Sequence, residues 1–113
     1  MIEDDLIGYF NKESFVLKTQ QQIEKDFAKY GIDFPDTFVT KPLSKIEIES
    51  ILQEKLTAIM KFGETNLLQL LYTIDIPEKD FLKLVQSPNF LPTIASMVLK
   101  REAMKVYYRE KYS

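Results

Sequence analysis

Apolar side chains recur every three or four residues along most of the chain, which is the period of an amphipathic α-helix. Between residues 13 and 30 the apolar positions are Val16, Ile23, Phe27 and Tyr30. Gln20 fills the one missing step of this stripe, and Gly31 follows at a position typical of a helix terminator. A shorter pattern over residues 2–10 predicts an opening helix.

The segment 31–43 breaks the helical pattern because it is rich in proline and turn-forming residues. It nevertheless carries five large apolar side chains, which are Ile32, Phe34, Phe38, Val39 and Leu43. Leaving such side chains in water forgoes roughly 1.5–3 kcal/mol for each. We therefore predict a non-helical aromatic loop that is ordered across the core, with burial by a partner as the alternative.

Two helices are predicted in the middle of the chain. Ser44 and Glu47 have the spacing of a capping box, so a long helix is expected to begin there and to close near Gly63. Residues 65–74 are apolar on nearly every side, with a narrow polar stripe of Asn66, Gln69 and Thr73. Such a helix is expected to lie at the centre of a bundle.

Residues 67–85 comprise an apolar helix, a tight corner and a second amphipathic helix, an outline that resembles the DNA-binding helix-turn-helix. At the corner, Asp75 is expected to cap the turn that begins at Pro77. The second helix would present Lys79 and Lys83 among acidic residues, with a formal charge that sums to zero. Because affinity for DNA comes largely from neutralising phosphates, DNA reading is the weaker interpretation.

The last helix, predicted from Phe90 to about Tyr112, changes its apolar face halfway along. The face defined by Leu91, Ile94 and Val98 becomes charged when it is continued towards the C-terminus. Beyond that point a displaced set of side chains is apolar or aromatic: Leu99, Ala103, Met104, Val106, Tyr107 and Tyr108. Either this half curls against the N-terminal helices, or the six residues form a docking surface for a second copy or another protein.

The same helix also interleaves basic and aromatic side chains, as single-stranded nucleic-acid binding requires. Its candidate backbone contacts are Arg101, Lys105 and Arg109. Glu102 and Glu110 lie about one turn from these bases and offer them partners within the helix. Nucleic-acid binding is therefore the alternative to protein docking.

The amino-acid composition excludes several kinds of catalytic and metal site. The 113 residues include no Cys and no His, which removes disulfides, thiolate nucleophiles, zinc sites built from these ligands and imidazole acid–base catalysis. The acids at the corner are explained as caps and solvated charges. We therefore predict no catalytic residue, no cofactor and no metal site.

The distribution of charge and hydropathy along the chain predicts where the protein is located and how two copies could pair. Residues 1–57 hold seven lysines and eleven acids, a formal charge of −4, whereas residues 58–113 hold eight basic and six acidic residues, or +2. Two copies could attract across this asymmetry. The segment MIEDDLIGYF carries acids where a secretory signal needs positive charge, and no apolar run approaches the ~20 residues of a membrane span. These features predict a cytoplasmic protein with no membrane partner.

Taken together, the pattern predicts an all-α single domain, residues 1–113, with five to six helices, a long C-terminal helix and an ordered aromatic loop at about 31–43. The predicted function is a non-catalytic protein-interaction or self-associating module, a homodimer or a binder of another protein, that docks through the C-terminal helix. The alternative is a nucleic-acid-binding regulator that uses the corner at 67–85 or the basic, tyrosine-rich last helix.

Overall fold

A computed structural model of the chain describes residues 11–61, 63–84 and 86–112, with the backbone alone for Glu64 and Leu84. Within these ranges it has no strand and the following helices: α1 (Glu13–Ala28), α2 (Thr37–Thr40), α3 (Lys45–Met60), α4 (Glu64–Ile74), α5 (Glu78–Leu84) and α6 (Phe90–Tyr112). The all-α fold class and the long C-terminal helix are thereby confirmed. The opening helix predicted at 2–10 lies outside the described residues.

Local signals decide where several helices begin and end. The hydroxyl of Ser44 accepts a hydrogen bond from the Glu47 N–H at 3.2 Å, and the Glu47 carboxylate accepts one from the Ser44 N–H at 3.2 Å. This is the predicted capping box, and α3 begins at the next residue. Gly31 lies just past α1 with a φ of 74°, a left-handed conformation that favours glycine.

The main core surrounds α6, which packs against α1, α3, α4 and α5. The buried side chains of α4 are Leu67, Leu70, Leu71 and Ile74, which fits its predicted central position. However, Tyr72 is 85% exposed, so α4 is not enclosed on all sides as a helix at the centre of the bundle would be. The helix lies at the edge of the bundle along one side.

The aromatic loop is ordered as predicted. Phe38 is buried, Phe34 stacks on it with a centroid separation of 4.4 Å, and Phe34 also meets the ring of Phe27 edge-on at 5.5 Å. The prediction that the segment is entirely non-helical is wrong, because Thr37–Thr40 forms one helical turn. The two prolines of the loop stand at positions 35 and 42, outside that turn, so neither interrupts its hydrogen bonds.

Gln20 holds this loop on α1. Its side-chain amide donates to the carbonyl oxygens of Phe38 at 2.7 Å and Lys41 at 2.8 Å, and its amide oxygen accepts from the N–H of Leu43 at 2.8 Å. The side chain is fully buried. The one polar residue in the apolar stripe of α1 therefore satisfies three backbone groups of the loop.

Candidate functional site

The predicted docking surface on the last helix is divided between the interior and the exterior of the chain. Four of its six side chains are between 0% and 5% exposed: Leu99, Ala103, Val106 and Tyr107. Leu99 belongs to the main core, and the other three pack with Phe15 of α1. The prediction that these four residues form an accessible surface is wrong, because the second half of α6 curls against the N-terminal helix.

The other two predicted docking residues face outward. Tyr108 is 37% exposed and Met104 is half-buried. At helical spacing they continue a line along α6, here called the outer stripe, which consists of Met97, Arg101, Met104, Tyr108 and Tyr112. Tyr112 is 72% exposed, so the stripe becomes more accessible towards the C-terminus.

Side chains of the outer stripe support one another. The rings of Tyr108 and Tyr112 are stacked with a centroid separation of 6.0 Å, and Tyr107 meets Tyr108 edge-on at 5.5 Å. A guanidinium nitrogen of Arg101 lies 3.8 Å from the sulfur of Met104, and Arg101 also forms an ion pair with Asp75 at the end of α4. The stripe is thus an ordered aromatic and sulfur-rich surface rather than a set of independent side chains.

A buried charged cluster, here called the polar layer, lies beneath the middle of α6. It consists of Asp26 from α1 together with Glu102 and Lys105 from α6. The ammonium of Lys105 is 2.8 Å from a carboxylate oxygen of Asp26, 3.0 Å from the carbonyl oxygen of Thr73 and 3.6 Å from Glu102. The side chains of Asp26 and Glu102 are 3% and 0% exposed.

The two carboxyl groups of the polar layer have opposite pKa shifts. Burial raises the pKa of Glu102 to about 9, with a further contribution from the neighbouring Asp26 that exceeds the opposing effect of Lys105. Burial also acts to raise the pKa of Asp26, but hydrogen bonds to Glu102 and Lys105 outweigh it and the pKa of Asp26 is lowered. At neutral pH Glu102 is therefore a neutral acid that can donate a hydrogen bond to the ionised Asp26.

Because both carboxyl groups are closed off from solvent, no substrate reaches them in this conformation, and the polar layer is a structural feature. It was not predicted from the sequence. One signal was present, since Glu102 and Lys105 continue the apolar face of Ile94 and Val98. Only the fold brings residues so far apart in sequence into contact.

The basic residues proposed for nucleic-acid contact on α6 already have partners. Arg101 pairs with Asp75, Lys105 belongs to the polar layer, and Arg109 donates to the side-chain oxygen of Gln22 at 2.8 Å. A phosphate would have to displace these contacts. Lys79 and Lys83 are instead exposed on α5.

The corner between α4 and α5 is formed by a left-handed residue at the end of α4. Asp75 ends α4 with a φ of 75°, the left-handed conformation that glycine commonly supplies there. One carboxylate oxygen of Asp75 forms an ion pair with Arg101, and the cap that the sequence predicts for α5 stays a prediction. Beside the corner lies a small groove of about 50 Å³, lined by Leu68, Leu71, Tyr72, Ile76 and Glu78.

Comparison with family models, with curated proteins and with solved structures finds no match for this chain. Among the described helices, none combines the length and the apolar character that a membrane crossing requires. The functional interpretation is therefore drawn from the surfaces and contacts of the described residues.

Proposed function

We propose that this chain is a non-catalytic helical protein-interaction module that pairs with a second copy of itself through the outer stripe of α6. The observation that carries the proposal is the exposure of Tyr108 and Tyr112 on a helix whose opposite side is fixed in the core. A cytoplasmic location, expected from the composition, is part of the same proposal.

The chemistry of the outer stripe supports this choice. Tyrosine, methionine and arginine are enriched at the centres of protein interfaces, and the stripe contains only these residue types. The stacking of Tyr108 on Tyr112 orders both rings before any partner arrives. Association then costs less side-chain entropy than it would for two freely rotating rings.

The order of residues in the stripe fits an antiparallel pair. A twofold axis that crosses α6 close to Met104 would place Arg101 against Tyr108 of the second copy, since the two lie at nearly equal distances on either side. By the same relation, Met97 would face Tyr112. These are cation–π and sulfur–aromatic contacts, both of which are favourable.

The positive charge of Arg101 does not prevent two copies from pairing. Arg101 is balanced within each copy by Asp75, whose side chain is 72% exposed. Two such ion pairs can meet across the axis without a net like charge.

The test is the solution mass by light scattering on a sizing column, at two protein and two salt concentrations. We expect the wild-type mass to rise from 13.3 kDa towards twice that value with concentration. The double variant Tyr108→Glu/Tyr112→Glu should stay at the monomer mass. Ile46→Glu is the matched control, because Ile46 is an 80% exposed apolar residue on α3, and it should behave as wild type. A wild-type monomer under every condition would overturn the proposal.

Nucleic-acid binding is the second candidate, and the exposure of Lys79 and Lys83 on α5 favours it. It is tested by retention of a labelled oligonucleotide as salt is raised. Retention that weakens steeply with salt and is lost in Lys79→Glu/Lys83→Glu would support this function. Retention that is absent at low salt would exclude it.

A further inference from the structure

The described part of α6 contacts two separate apolar clusters. The main core includes buried side chains of α6 as far along the helix as Leu99. The second cluster consists of Phe15, Ala103, Val106 and Tyr107, with Met104 packed against it. Along α6, Glu102 falls between Leu99 of the main core and Ala103 of the second cluster. We propose that the polar layer is a latch that lets residues 102–112 of α6 detach from α1 while the main core stays folded.

The latch supplies this segment with buried polar contacts to two other helices. Lys105 ties it to Asp26 on α1 and to the carbonyl oxygen of Thr73 on α4. Two further contacts to α1, from Arg109 to Gln22 and between Lys18 and Glu110, are exposed. Exposed ion pairs and hydrogen bonds contribute little to stability, so the closed position of the segment depends on the buried contacts.

The charges that face the latch come from three helices. On α1, Asp26 accepts from the side-chain amide of Gln22 at 3.2 Å and lies 3.7 Å from Lys29. On α6, Glu102 and Lys105 face the latch. On α4, the backbone carbonyl of Thr73 faces it, and the side-chain hydroxyl of Thr73 shares a hydrogen bond with the hydroxyl of Tyr30. When Glu102 is neutral, the negative charge of Asp26 is balanced by the positive charge of Lys105.

Loss of the Glu102 proton would place a second carboxylate beside Asp26 in a buried layer. Because the closed form holds that proton with a pKa of about 9, whereas a solvated glutamate has a pKa near 4.5, raising the pH favours the open form. Opening would uncover Ala103, Val106 and Tyr107. The latch does not rest on the proposed self-association.

The latch is tested by amide hydrogen exchange of the full-length chain between pH 6 and pH 9.5, at a concentration where it is monomeric. Exchange is expressed as protection relative to the intrinsic rate at each pH. We expect the protection of residues 103–108 to fall about tenfold for each pH unit up to about 9 and to stay well below that of residues 48–59 of α3 at every pH. In Glu102→Gln the protection should not change with pH.

Two results would overturn the latch. One is a wild-type protection of residues 103–108 that does not change with pH, and the other is a protection equal to that of α3 at every pH, which would mean that the segment opens only by global unfolding. The wild-type profile decides between these outcomes even if the variant fails to fold.

Discussion

Lys105 of α6 places its ammonium 2.8 Å from the carboxylate of Asp26 on α1, where the Asp26 side chain is only 3% exposed. The same ammonium donates to the carbonyl oxygen of Thr73 on α4. One side chain therefore joins three helices. The register of α6 against α1 is set by this contact as well as by apolar packing, because a shift of one turn would leave a buried carboxylate without its cation.

Replacing this cation is expected to destabilise the fold. Lys105→Met keeps most of the side-chain volume but leaves Asp26 buried without its ammonium, which should lower the free energy of unfolding by about 3 kcal/mol. Urea unfolding at pH 7 measures the change. Lys18→Met is the matched control, since Lys18 pairs with Glu110 at the surface and its loss should cost less than about 1 kcal/mol. Equal losses for the two variants would contradict the assigned role of Lys105.

The polar layer also predicts how stability depends on pH. The folded-state pKa of Glu102, about 9, is above its ordinary value of 4.5, so the folded chain keeps a proton that the unfolded chain loses. The free energy of unfolding should then fall as the pH rises from about 4.5 to about 9, by at most about 1.4 kcal/mol for each pH unit. The pKa of Asp26 is lowered, so its stabilising contribution is fully present at neutral pH and is lost only as the pH falls through the acidic range.

Glu102→Gln isolates this effect, because glutamine donates to Asp26 without titrating. Its Tm should change little between pH 5 and pH 9 and should exceed that of the wild type at pH 8.5. Thermal unfolding followed by circular dichroism gives both curves. Parallel wild-type and variant curves would show that Glu102 does not carry the alkaline loss.

Gln20 should be far more important than its neighbour. Gln20→Ala removes three hydrogen bonds to the backbone of the aromatic loop and should lower the free energy of unfolding by about 3 kcal/mol. Gln21→Ala, which removes one exposed bond to the Val39 carbonyl, should cost less than about 1 kcal/mol. Urea unfolding compares them, and similar values would refute the loop-anchoring role.

The capping box of α3 gives a smaller expected effect. Ser44→Ala removes the hydroxyl that accepts from the Glu47 N–H and should cost about 1 kcal/mol. Ser50→Ala, at an exposed position inside α3, should leave stability unchanged or raise it slightly, since alanine is the better helix former. The same unfolding experiment checks both, and a loss at Ser50 as large as that at Ser44 would contradict it.

Much of the fold could be predicted because single local signals decide it. Ser44 with Glu47 predicted the start of α3, and Gly31 predicted the end of α1. The packing partner of the apolar stripe of α6 was harder to predict. Val106 and Tyr107 have the same spacing whether they pack on α1 or on another chain. Periodicity indicates that a helix face is buried. Only the fold shows which element that face packs against.

The candidate site shows the same limit. Sequence spacing identified Met104 and Tyr108 as facing the same side of α6, and both lie on the outer stripe. It did not identify the exposure of Tyr72, which depends on how α4 is rotated in the bundle. Nor could it pair Asp26 with Lys105, because contacts between distant charged residues follow from tertiary packing rather than from local pattern.

The most direct test of self-association through the outer stripe uses the absence of cysteine from the chain. A single Met104→Cys substitution places one thiol where the twofold axis is proposed to cross α6, and Ser50→Cys places one on exposed α3 as a control. We expect mild oxidation to convert Met104→Cys into a reducible covalent dimer much faster than Ser50→Cys at equal concentration, because facing cysteines reach disulfide geometry. Equal, slow cross-linking of both variants would contradict pairing through this stripe.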